Sequence, residues 1–166
     1  MNNLETFIGK IVDWVGHGLA AILVLMVLNV AFDVMMRYLF HASSVGMQEM
    51  EWHLFSLIIL FGMGYGLRHE GHVRVDFVFD RLNDRKKALI NIWGTLFMLT
   101  PLALLILAGA FGYVNDAYVS GEISEDPGGL PYRWIIKSMI PLSFAFLLLS
   151  ATGYVLKNIE LFRRAK

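Results

Sequence analysis

Leu19-Ala20-Ala21-Ile22-Leu23-Val24-Leu25-Met26-Val27-Leu28 is the centre of a 19-residue run, Trp14 to Phe32, that holds no Asp, Glu, Lys or Arg. As a helix the run is about 28 Å long, close to the roughly 30 Å hydrocarbon core of a bilayer. Three further stretches follow. Leu54 to Leu67 offers only 14 uncharged residues apart from His53, about 21 Å, so this span must borrow length from Gln48–His53 or from Arg68 onward. Lys87 and Asp116 bracket 28 residues, about 42 Å, which calls for tilt, a kink at Pro101 or an emergent end. Lys137 and Lys157 bracket 19 more, with Pro141 in the first turns.

Composition agrees with four crossings. Of 166 residues, 57% are hydrophobic and 17% charged, against about 25% charged in soluble domains. Fourteen cationic and fourteen acidic side chains cancel, which leaves no net field to draw in nucleic acid. The absence of cysteine excludes disulfides, thiolate metal sites and iron–sulfur clusters. Four spans, at approximately 14–36, 48–68, 88–113 and 134–156, leave no room for a soluble catalytic domain. The expected fold is an all-α integral membrane protein with four transmembrane helices in a single domain, 1–166.

Lys10, the middle segment with Arg68, Arg74, Arg81, Arg85, Lys86 and Lys87, and the tail with Lys157, Arg163, Arg164 and Lys166 share one side; only Arg37, Arg133 and Lys137 fall on the other. The positive-inside rule makes both termini and the middle loop cytoplasmic. A cleaved signal peptide is the competing reading of the first run. Its length, the immediate Asp33 and Arg37, and the charge parity of four spans argue against cleavage.

Two segments outside the spans read as amphipathic interfacial helices. Leu4, Ile8, Ile11, Val12 and Val15 recur at helical spacing and suggest a helix lying on the surface before it turns inward. Val75, Val78, Phe79 and Leu82 do the same in the middle loop, although Val73, Val75, Phe77 and Phe79 also alternate in strand fashion. An isolated strand there would have two open edges, so a helix is expected. Asp126-Pro127-Gly128-Gly129, with Pro131, is the strong turn cluster.

Asn29, Asp33 and Arg37 form one stripe near the outer end of span one, where Asp33 and Arg37 can pair along the helix. A proton relay would sit deeper, so a structural role is expected. Glu49 and Glu51 open span two near the lipid boundary and need cations. Arg37, Arg133 and Lys137 lie at that depth, which predicts an outer ionic layer or subunit interface of Asp33, Arg37, Glu49, Glu51, Arg133 and Lys137. Gly62-x-x-x-Gly66 predicts close helix packing. His17, His69 and His72 could ligate a haem between spans one and two, as in the membrane anchor of a respiratory oxidoreductase, although none lies well inside an apolar span. A small dimeric exporter is a third class, with Asp33 its one titrating candidate. No metal-ligand set, phosphate loop or nucleophile elbow is present.

The order of Arg37-x-x-Phe40, Gln48-Glu49-x-Glu51, Gly62 and Gly64, then His72-Val73-x-Val75-Asp76, resembles the small membrane subunit of tripartite ATP-independent periplasmic (TRAP) transporters, the DctQ-like family. Gly129-Leu130-Pro131-Tyr132-Arg133-Trp134-Ile135-Ile136-Lys137 is similar to the branch described for mannitol, chloroaromatic and related organic-acid systems. The resemblance covers essentially the whole chain. It implies a bacterial inner-membrane scaffold without catalytic residues or a cofactor of its own. It further implies a periplasmic binding protein that captures an organic acid and a large elevator-type subunit that carries substrate and sodium. Arg37, Glu49 and Glu51 fall on outer motif positions, and His72 and Asp76 on a cytoplasmic motif. The absence of a mid-membrane polar cluster agrees, because alternating-access transporters place their sites near the midplane.

Overall fold

The computed structural model describes residues 3–69, 71, 79 and 81–164, and all its regular structure is helical. The helices are α1 (Asn3–Phe40), α2 (Val45–Arg68), α3 (Asp84–Gly94), α4 (Thr100–Val119) and α5 (Trp134–Arg164). A π turn, Thr95–Leu99, joins α3 to α4, so Asp84–Val119 is one span and four helical rods are long and apolar enough to cross a membrane. Each rod overruns its uncharged stretch. The short second span gains its length at the end away from the termini, where Ser44 caps α2 by accepting from the Met47 N–H.

The π turn lies directly ahead of Pro101, whose ring would clash with the carbonyl four residues back in a regular helix. Widening the turn relieves that clash. The Thr100 hydroxyl donates to the Thr95 carbonyl at 2.8 Å and the Thr95 hydroxyl to the Asn91 carbonyl at 2.7 Å. The long third span therefore adjusts at Pro101, as its length and proline suggested.

α5 is the central column. It packs against α2 and α1 on one side and against α3 and α4 on the other, and its apolar window is far more buried than those of the other spans. Leu147, Ala151 and Tyr154 of α5 meet Leu67 of α2 and Ala103 of α4 to form the core. Small residues let the backbones approach. A Cβ on Gly64 would lie 2.6 Å from the Phe146 ring and 3.0 Å from Ser150 Oγ, and one on Gly153 would lie 2.9 Å from Ile8 Cγ2. Among the described residues a Cβ on Gly62 would meet nothing within 4 Å, so between these two positions the close approach falls at Gly64. The Gly66 carbonyl accepts from the Gly71 N–H at 2.9 Å and helps finish α2.

The segment before span one departs from expectation. No turn separates it from the span: α1 runs 38 residues without a break, about 57 Å. Ile8 and Val12 are buried, Ile8 against Gly153, and Glu5 and Asp13 face Arg68. Those contacts hold the segment in line with the bundle rather than flat on a surface. Most of the amphipathic segment expected in the middle loop lies outside the described residues, Val75 and Val78 included.

Replacing Gly64 with Leu should overpack the α2–α5 seam and destabilise the chain by about 1–3 kcal/mol. Gly62→Leu should leave the melting temperature in detergent nearly unchanged. Equal losses in the two variants would contradict the packing just described.

Candidate functional site

Charged side chains collect at the two ends of the bundle. At the loop end, away from the termini, the segment between α4 and α5 folds back over the start of α2. Gly121 and Gly128 supply positive φ angles of 63° and 85° for that path. The Arg133 N–H donates to the Glu122 carbonyl at 3.1 Å, and the Ser124 N–H to the Leu130 carbonyl at 3.3 Å. This folded segment surrounds Glu49. Its carboxylate accepts from the Ser124 hydroxyl, from the Leu130 N–H at 2.6 Å and from Arg133 at 3.1 Å. Gly129 is required beside it, because a Cβ there would meet both Ser124 and Glu49. The Glu49 side chain is 12% exposed, so the three donors replace most of its water. Val45, Trp52, His53 and Asp126 complete a cleft of about 290 Å³ around this cluster.

The six charges expected in one outer layer are divided instead among separate pairings. Asp33, 5% exposed, is held by Arg37 on the same helix. Glu49 takes Arg133. Lys137 pairs with Glu122 and sits 4.1 Å from the centre of the Tyr113 ring. Glu51 makes no ion pair among the described residues. The division has a local cause: Arg37 reaches Asp33 within one turn, and the loop between α4 and α5 sets Glu122 beside Lys137 and Arg133 beside Glu49. Asn29 donates to the Met47 carbonyl at 3.0 Å and ties span one to the first turn of α2.

The other end carries a second network. Arg68, at the end of α2, pairs with Glu5 at 3.3 Å and Asp13 at 3.2 Å, and His69 lies 2.9 Å from the same Asp13 oxygen. Gly9 leaves room for the Arg68 guanidinium, and Gly16 for the Tyr65 ring, which stacks on His69 at 4.3 Å. Glu5, Gly9, Asp13 and Gly16 recur every three to four residues, so this face was readable in the sequence as a charged groove with gaps. Its partner, Arg68, was not. His17 Nδ1 lies 2.7 Å from the Asp13 carbonyl, and His72 and Asp76 lie outside the described residues. Among the described residues no group of three or more His, Asp or Glu side chains is arranged to hold a metal ion.

A neutral pair also joins two helices at the end that holds the termini. Asn91 donates to Asn158 Oδ1 at 2.9 Å, and Asn158, 1% exposed, donates to the Tyr154 carbonyl at 2.9 Å. This amide pair ties α3 to α5.

Glu49→Ala would strip three donors of their acceptor at once. We expect a lower melting temperature and faster hydrogen exchange at the Leu130 amide. Glu51→Ala should leave that amide as protected as before; matching exchange in the two variants would remove Glu49 as the loop's anchor. Arg68→Ala, which leaves Glu5 and Asp13 without their cation, should loosen the first turns of α1 and expose them to proteolysis, with α5 protected as before.

A family model for the DctQ component of tripartite ATP-independent periplasmic transporters matches residues 26–161. The C4-dicarboxylate TRAP transporter small permease protein of Pseudomonas aeruginosa is 28% identical over 107 residues, 60% of this chain and 50% of that protein. The ectoine TRAP transporter small permease protein of Halomonas elongata is 28% identical over 160 residues, 96% of this chain and 79% of that protein. The chain thus spans half the length of the first relative and about four fifths of the second. The matched region includes the second and third rods, the fourth but for its last turn, and the part of the first from Met26 onward. With four membrane-crossing rods and a family match over most of its length, the chain is a multi-pass inner-membrane protein that belongs to the DctQ family of TRAP transporter components.

Proposed function

We propose that this chain is the fixed scaffold subunit of a sodium-coupled TRAP symporter for an organic acid. It braces a large elevator-type membrane subunit that receives substrate from a periplasmic binding protein. The observation that carries this reading is the placement of charge. The ion pairs of Glu49 with Arg133, Lys137 with Glu122 and Arg68 with Glu5 and Asp13 stand at the ends of the rods and fasten elements to one another. Among the described residues, the polar contacts of Thr95, Thr100 and Thr152 between them are hydroxyls bonded to backbone carbonyls of their own span. A mid-depth ion or substrate site would need convergent charge or broken helices there. α1 supports the bracing role, since Leu23, Val24, Leu25, Val27 and Leu28 remain exposed along its apolar window and offer a face for lipid or a larger companion.

Organic-acid specificity rests on the sequence resemblance and on the relative named for C4-dicarboxylate; the relative named for ectoine leaves the particular substrate open. Sodium is assigned to the partner, as is the moving element. The excess of Lys and Arg near the termini and middle loop favours a cytoplasmic placement for that end. The haem-anchor reading gains no specific support, because His17 and His69 are both engaged by Asp13 of α1.

Three outcomes are expected on expression with and without the neighbouring membrane protein and binding protein. The chain co-purifies with the larger membrane protein, sodium-dependent uptake in proteoliposomes needs all three, and the chain alone gives no flux. Uptake by this polypeptide alone, or full uptake without it, would overturn the proposal. Fusions at either terminus should report the cytoplasm.

A further inference from the structure

A groove runs along the surface between the third span and α5, on a face separate from the one α5 turns to α2. Its half nearer the termini has a cavity of about 280 Å³, lined by Thr95, Leu96, Thr100, Thr152, Val155 and Leu156 and closed at its deep end by Leu148. The lining is almost wholly apolar, and the Thr95, Thr100 and Thr152 hydroxyls are already bonded to backbone carbonyls. About 15 Å farther toward the termini, past the Asn91–Asn158 contact, Arg85 of α3 reaches across to α5 and lies over the Phe162 ring, 4.7 Å from its centre. A cation on a ring keeps its outward N–H donors free. Arg163 follows Phe162 on α5 and is exposed. Neither guanidinium meets a carboxylate among the described residues, whereas Arg37, Arg68, Arg133 and Arg164 all do.

Spacing identifies what fits. From Arg85 to Thr100 and from Arg163 back to Leu148 are 15 helical steps each, about 22 Å. Half a bilayer with its headgroups is about 20–22 Å. The cations therefore stand at headgroup depth in the leaflet that holds the termini, and the groove below them ends near the midplane. The geometry points to a binding site for one anionic phospholipid, its phosphate held by Arg85 and Arg163 and one acyl chain laid along the groove between the π turn and α5. An apolar partner helix would fill the groove but leave two guanidinium groups unanswered; a phosphodiester answers both. A lipid seated there would fill the space beside the π turn, where the third span departs from regular helix.

The full chain, purified and stripped of lipid, tests this without any partner subunit, so the result stands apart from the scaffold role. Native mass spectrometry would compare dioleoyl phosphatidylglycerol with dioleoyl phosphatidylcholine, which share acyl chains and differ in net charge. One phosphatidylglycerol should be retained per chain and raise the melting temperature, with phosphatidylcholine doing neither. Arg85→Gln and Arg163→Gln should each weaken retention by roughly fivefold. Thr152→Trp, which fills the groove and leaves both cations, should also expel the lipid. Circular dichroism of the lipid-free variants separates loss of the site from loss of the fold. Equal retention of the two lipids, or retention unchanged in the charge variants and in Thr152→Trp, would overturn the site. So would crosslinking from Thr152→Cys in the assembled transporter that captures protein in place of lipid.

Discussion

Everything in this molecule depends on how closely α5 can be approached. In lipid, apolar faces gain little by meeting one another, so helices associate where small residues admit a backbone and where polar groups find partners. α5 satisfies both conditions along its length. Gly64 lets Phe146 and Ser150 press on α2, Gly153 admits Ile8 of α1, and Ala103 brings α4 against the same column. The Asn91–Asn158 pair then fixes α3. Without these approaches the third span would lose its seat on the bundle, while α1 and α2 would still meet through Gly16 and Asn29.

Those end charges act on top of that packing. Glu49 is held by a hydroxyl, a backbone N–H and a guanidinium, all from one folded loop, so it anchors the loop onto α2 as much as it forms an ion pair. At the other end, Arg68 fastens α1 to α2 through two carboxylates. Partial solvent access tempers the energy of each pair, but several partners per group make the geometry specific. The arrangement suits a rigid component: charge braces the ends, and the middle is left neutral.

Position within the chain explains why some of this was legible and some was not. The uncharged runs marked the four rods because backbone polar groups in lipid must be satisfied within a helix. The shortness of the second run demanded added residues at one end or the other, and α2, Val45–Arg68, takes them ahead of Leu54. The adjustment before Pro101 followed from the missing N–H. The lead into span one misled, since its helical periodicity fits a surface helix and an in-line extension equally well. Arg68 is what decides between them, and it is 55 residues beyond Asp13.

Alone, then, the amino-acid sequence determined the number of rods, the asymmetry of charge and the family pattern, because each depends on local composition or on residues close in order. Only the tertiary structure decided which charges meet. Glu49 is bonded to residues 75 to 84 positions away, Lys137 takes Glu122 across a loop, and among the described residues Gly64 rather than Gly62 makes the close approach. Helix rotation and loop path set those outcomes, and neither is written in the spacing of residues along a single helix.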